Sequence, residues 1–225
     1  MYAVELGKIE GLTFFTYKGA INAIHIHQGG QSSSALPTYR RLYPWVQDLG
    51  AWIYIPFHKS DRLKRFGVRQ YWRGGCVVLL GTKMLGDIIF GIPGHTIHGT
   101  QGITSNGSLT LVYGEHKDDM LPVPFFGAFD KELTQPPPLN RMRDAQWPGS
   151  VMRTTREQRR AIPSATITSA PLAGVVSVTV FYIGETENCR GLLFTYENGG
   201  QRTVGQCRVG LDRCTKLESL AGLCF

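Results

Sequence analysis

The chain has 225 residues, of which 42% are hydrophobic and 18% charged, and its formal net charge is +7. That balance suits a globular chain of one large or two small domains. Apolar runs all fall short of the ~20 residues a helix needs to span a bilayer. The first residues, Met1 to Lys8, lack a basic segment leading into an apolar one, so no secretory signal is read and an intracellular address, cytoplasmic or nuclear, is expected.

From the N-terminus, Leu12 to Tyr17 (L-T-F-F-T-Y) reads as a strand that turns at Lys18-Gly19. The return strand ends in Ile24-His25-Ile26-His27, where period 2 puts the two isoleucines on one face and Ala23, His25 and His27 on the other. Gln28 to Ser34 is a Gly/Ser loop. Tyr39 to Leu49 predicts a short helix interrupted by Pro44. Trp52 to Phe57 is aromatic and β-branched, hence a strand, and Pro56 marks its end as an edge or bulge.

Arg62 to Tyr71 alternates imperfectly and reads as a strand with a polar outer face. Cys76 to Leu80 is continuously apolar, which implies burial on both faces. Ile88 to Phe90 and Ser108 to Tyr113 follow as strands, and His95 to Gly102 reads as a loop. Glu115 to Pro171 carries most of the prolines, including Pro136-Pro137-Pro138, and reads as an insertion or linker inside one β-rich domain spanning 1–225. Val151 to Arg160 predicts a helix of two to three turns. Gly174 to Tyr182 is the best single strand in the chain. It leads through a polar loop into the hairpin of Arg190 to Arg208, whose Asn198-Gly199-Gly200 turn tolerates positive φ. The tail from Leu211 reads as a short helix over Thr215 to Ala221 or as extended chain.

Three hairpins resemble one another. They begin at Gly11, Cys76 and Gly191, and each has a small residue, an apolar strand, a Gly-bearing turn and a return strand. The expected fold is therefore all-β, of antiparallel hairpins in a pseudo-threefold arrangement, with a jelly-roll or cupin-like β-sandwich as the alternative. The five cysteines are odd in number and match no zinc or disulfide spacing, so reduced structural thiols are expected.

The segment V-S-V-T-V-F-Y-I-G-E-T-E-N-C-R-G-L-L-F-T-Y-E-N-G resembles the strand–loop–strand pattern of jacalin-related lectins. That resemblance implies a β-prism and sugar binding through a Gly-x-x-x-Asp loop. The nearest match is Gly184-Glu185-Thr186-Glu187-Asn188, with Asn in place of Asp; Gly210-Leu211-Asp212 has a different spacing. The runs I-H-I-H, S-S-S-A-L-P-T-Y-R-R-L, W-I-Y-I-P-F and R-G-L-L-F-T-Y-E-N-G-G-Q-R-T-V-G-Q-C-R-V-G resemble a group of uncharacterised filamentous-fungal proteins, which implies no activity.

These readings lead to a non-catalytic binding module for a glycan or a protein partner, acting through loop residues Gln28, Ser32, Gly184, Glu185 and Asn188, with no cofactor. Two other readings stand beside it. Gly19 followed by His25 and His27 has the G-x5-H-x-H spacing of cupins, and Pro93 and His98 resemble the second cupin motif. His25, His27 and His98 would then bind one divalent Fe, Mn or Zn ion. Against this, the stretch after His27 lacks the cupin Glu and the interval from Gly86 to Pro93 is one residue too long. Nucleic-acid binding would use two basic segments: Lys59, Arg62, Lys64, Arg65 and Arg69 in one, and Arg156, Arg159 and Arg160 in the other. Trp45, Trp52, Trp72 and Trp147 are candidate stacking platforms, or core residues. A nucleophile elbow and phosphate-binding Gly motifs are absent.

Overall fold

A computed structural model describes residues 1–29, 34–71, 76–92, 97–115, 122–130 and 166–218. The chain is all-β. Among the described residues it forms β1 (Tyr2–Val4), a 3-10 turn (Leu6–Lys8), β2 (Gly11–Tyr17), β3 (Ala20–His27), helices α1 (Leu36–Arg41) and α2 (Pro44–Leu49), and β4 (Ala51–Pro56). There follow β5 (Leu63–Tyr71), β6 (Cys76–Thr82), β7 (Gly86–Gly91), β8 (Ile97–Thr104), β9 (Leu109–Tyr113) and β10 (Phe126–Asp130). The last four strands are β11 (Val175–Tyr182), β12 (Cys189–Tyr196), β13 (Gln201–Gly205) and β14 (Cys214–Glu218). They make four sheets, in the orders β1-β9-β10, β3-β2-β4, β7-β6-β5-β8 and β13-β12-β11-β14. Every pairing is antiparallel.

The three look-alike segments are the hairpins β2–β3, β6–β7 and β12–β13, each in a sheet of its own. At the first turn Lys18 and Gly19 both have positive φ, 49° and 82°. That backbone matches the twist of a two-residue hairpin. β4 is an edge strand, as Pro56 requires, and Pro44 opens α2 at its first turn, where a missing N–H costs nothing.

The main hydrophobic core is shared by three of the four sheets. β2 supplies Leu12 and Phe14, β4 supplies Ile53 and Ile55, β6 supplies Val78 and Leu80, and β9 supplies Leu109 and Leu111. The sheet of β12–β13 builds separate clusters, around Val178 and Phe194 on one face and around Phe181, Cys207 and Tyr54 on the other. The third wall of the main core is thus the β1-β9-β10 sheet, not the third hairpin. That third hairpin is tied on by polar links: the Thr203 hydroxyl donates to the Tyr54 carbonyl, and the Arg202 guanidinium donates to the Leu85 carbonyl.

Several local readings change. The glycine-rich stretch read as a loop holds β8, which pairs with β5 from Ile97 to Thr104; small residues there hide the alternation a strand normally shows. The imperfect alternation of β5 has a physical source, a register shift between Leu63 and Arg65. β6 is buried on both faces: Val77 and Leu79 are 0% exposed on one, and Val78 and Leu80 face the main core. In the tail Cys214–Glu218 is extended, as β14, and residues 219–225 lie outside the described residues. Within the proline-rich stretch, residues 126–130 form β10, and Phe126 packs on the main core. The triple proline and the helix expected over 151–160 lie outside the described residues.

Candidate functional site

The second face of the β3-β2-β4 sheet carries the histidines. His27 stands opposite Gly11 on β2, and its ring meets that of Tyr54 edge to face at 4.9 Å. A Cβ on Gly11 would lie 2.6 Å from the Tyr54 ring, so glycine makes room for this contact. His27 is 3% exposed, and its Nε2 is 2.7 Å from the Thr13 hydroxyl. His25 pairs through Nδ1 with the Thr38 hydroxyl of α1 at 2.8 Å. Burial, aided by the Arg41 charge, holds the His25 imidazole below its ordinary pKa. The two imidazoles are neighbours, with centroids 4.7 Å apart. His98 lies exposed on β8, in another sheet. Among the described residues no group of three or more His, Cys, Asp or Glu side chains is placed to hold a metal ion. The described partners of His25 and His27 are hydroxyls and aromatic rings, as befits a packed polar face.

The other sequence-based candidates are scattered. Gly184, Glu185 and Asn188 sit in the exposed β11–β12 connection. Its backbone bonds inward, Ile183 N–H to the Asn188 carbonyl at 3.0 Å, and Arg213 stacks on Tyr182 while pairing with Glu187 at 2.9 Å. Gln28 is exposed after β3, and Ser32 lies outside the described residues. Much of the first basic segment is occupied with its own fold. Lys64 donates to the carbonyls of Asn106 and Gly107, Arg65 pairs with Asp87 at 2.5 Å, Arg69 donates to the Thr100 hydroxyl, and Arg62 donates to the Lys59 and Asp61 carbonyls. Lys59 is exposed. Arg156, Arg159 and Arg160 lie outside the described residues. Trp52 is core at 2% exposure, whereas Trp45 is 48% exposed and stacks on Tyr43 at 3.9 Å. Trp72 and Trp147 lie outside the described residues.

A site that no motif announced lies where three sheets meet. A cleft of about 550 Å³ opens between the β2–β3 turn, the α2–β4 junction, the end of β7, the 166–168 segment and the outer ends of β12 and β13. The sequence builds it from both sides. Gly91, at φ 130°, ends β7 and bridges to Ile167. A Cβ there would lie 2.2 Å from the Cys76 carbonyl oxygen, so only glycine allows the approach. One residue on, the Thr168 hydroxyl accepts the Gly205 N–H at 2.9 Å. The Gln206 side-chain oxygen accepts the Trp52 N–H at 3.3 Å. These bonds lock the β13 end against β4 and leave the cleft between them.

The lining combines two chemistries. Leu49, Ile53 and Ile92 are apolar; Thr16, Tyr17, Thr168 and Gln206 bring hydroxyl and amide groups; Lys18 and Arg190 bring positive charge. Thr16 is only 5% exposed and its hydroxyl has no hydrogen-bond partner among the described residues. Arg190 Nε stands 3.0 Å from Asp212 Oδ2, an ion pair without hydrogen-bond alignment. Arg208 lies over the rings of Trp52 and Tyr39, at 5.3 and 5.8 Å. Burial raises the Asp212 carboxyl, and the charges of Arg190 and Arg208 pull it back down. Among the lining residues described there is no carboxylate, imidazole or thiol.

Sequence reasoning missed this cleft because its walls come from six separated stretches of chain and none carries a spacing motif. The one local sign is the glycine at 205, in the hairpin that stood out for its turn. This chain matches no protein-family model, no curated protein and no solved structure.

Proposed function

We propose that this protein is a non-catalytic, β-rich binding module and that its ligand is a glycan held in the cleft at Thr16, Tyr17 and Gln206. The observation that carries the reading is the lining itself. A sugar ring offers hydroxyls on its edge and apolar C–H groups on its faces, and the cleft offers hydroxyl, amide and cationic groups beside Leu49, Ile53, Ile92 and the Tyr17 ring. Its size falls within the ~300–1,000 Å³ usual for small-ligand sites. Trp45 stands one helical turn before Leu49 of the cleft wall and is half exposed, a stacking surface on the same side of α2. Among the described residues the lining holds no carboxylate, imidazole or thiol, and its ionisable side chains are Tyr17, Lys18 and Arg190. The likeness of residues 176–199 to the jacalin-related lectins points the same way, with the ligand moved from the 184–188 loop to the cleft.

The test is an oligosaccharide array probed with the wild-type protein and with Tyr17→Ala and Thr166→Ala. Binding that is weakened by both variants, with unchanged melting temperatures, supports the reading. A blank array, or binding indifferent to both variants, contradicts it.

A further inference from the structure

We propose that the cleft takes an acidic saccharide, with the sugar's carboxylate or sulfate held at Lys18 and Arg190. This rests on reading the cleft as a glycan site and adds the charge of its ligand. Both charged side chains in the lining are cations. Lys18 stands at the tip of the β2–β3 turn, exposed; its ammonium lies 5.1 Å from the centre of its neighbour Tyr17's ring, and it makes no ion pair among the described residues. Behind Arg190, two guanidiniums, Arg190 and Arg208, share the single carboxylate of Asp212. Among the described residues that leaves one positive charge uncompensated in a half-buried cluster, where charge is screened less than at the open surface. The Arg208 Nε is buried and without a hydrogen-bond partner among the described residues.

The Thr16 hydroxyl is buried in the cleft wall with no hydrogen-bond partner among the described residues. An anionic group beside Lys18 would accept from its ammonium, and hydrogen bonds between charged groups are roughly twice as strong as neutral ones. A neutral sugar would leave the charge surplus of the Arg190 cluster unbalanced.

The experiment is an array of matched neutral, uronate-bearing and sulfate-bearing oligosaccharides, probed with the wild-type protein, Lys18→Asn and Lys18→Arg. Asparagine tolerates the positive φ at this turn, so the first variant removes charge without straining the backbone. The proposal expects acidic glycans to be bound at least ~10-fold tighter than their neutral counterparts, with affinity falling as salt rises. It expects about a fivefold loss in Lys18→Asn, the size of a partly exposed charge contact, and retention in Lys18→Arg. Whether the uronate or the sulfate set responds identifies the anionic group. Neutral glycans bound as well as acidic ones, or acidic binding unchanged in Lys18→Asn, overturns the proposal and leaves the cleft as a site for neutral sugars. A wholly blank array overturns the acidic ligand and the glycan reading together.

Discussion

Phe14 on β2 and Phe90 on β7 meet with ring centroids 4.7 Å apart, and this contact joins two sheets across the main core. A third sheet arrives at the same place through Phe126 of β10, whose ring stands edge-on to Phe14 at 5.7 Å. Phe14 is 0% exposed. Truncating it removes a wall from all three sheets at once, and a buried Phe→Ala change costs ~3–5 kcal/mol. Phe14→Ala is therefore expected to lower the unfolding free energy, read from denaturant titration, by that amount. A loss below about 1 kcal/mol would show that the sheets do not depend on this junction.

The His25 imidazole is held below its ordinary pKa of 6.5 by burial and by Arg41. As pH falls, the unfolded chain takes up the proton before the folded one does. Stability from this group is therefore complete above about pH 6.5 and declines as pH drops through the interval down to the folded-state value. Denaturant midpoints of the wild-type protein should fall between neutral and mildly acid pH more than those of His25→Asn. Parallel pH profiles would contradict the assignment.

The thiols divide by burial. Cys207 is 0% exposed, and burial pushes its thiol far above the ordinary range; burial also raises Cys76, to about 11. Cys189 and Cys214 are exposed. Since the thiolate is the nucleophile, a mild alkylating reagent should modify Cys189 and Cys214 at least ~10-fold faster than Cys76 and Cys207 in the folded protein. Peptide mapping by mass spectrometry reads this directly, and rapid labelling of Cys207 would refute its place in the cluster with Tyr54 and Phe181.

What was legible in the sequence follows from which signals are local. Period 2 and turn chemistry are local, so the hairpin at Lys18-Gly19, the doubly buried β6 and the strand of Val175–Tyr182 could be read directly. β8 was hidden because Gly99 and Gly102 offer no side chain to mark a face, and its strand character comes from pairing with β5. The spacing of His25 and His27 was read correctly as one face, but what that face meets is tertiary: Thr38 of α1, and Tyr54 across a glycine. The cleft was illegible for the same reason. Thr16 and Gln206 lie at opposite ends of the chain, and among the links that bring them together are the Trp52–Gln206 bond, the 166–168 segment and the Thr203–Tyr54 bond.

The central claim is that ligand enters this cleft and not the exposed 184–188 loop. Backbone amide NMR shifts recorded while titrating in the tightest array glycan test it most directly. The account predicts shifts that saturate together at Thr16, Lys18, Thr168, Gly205 and Gln206. Shifts confined to Gly184, Glu185 and Asn188, with the cleft amides unmoved, would contradict it.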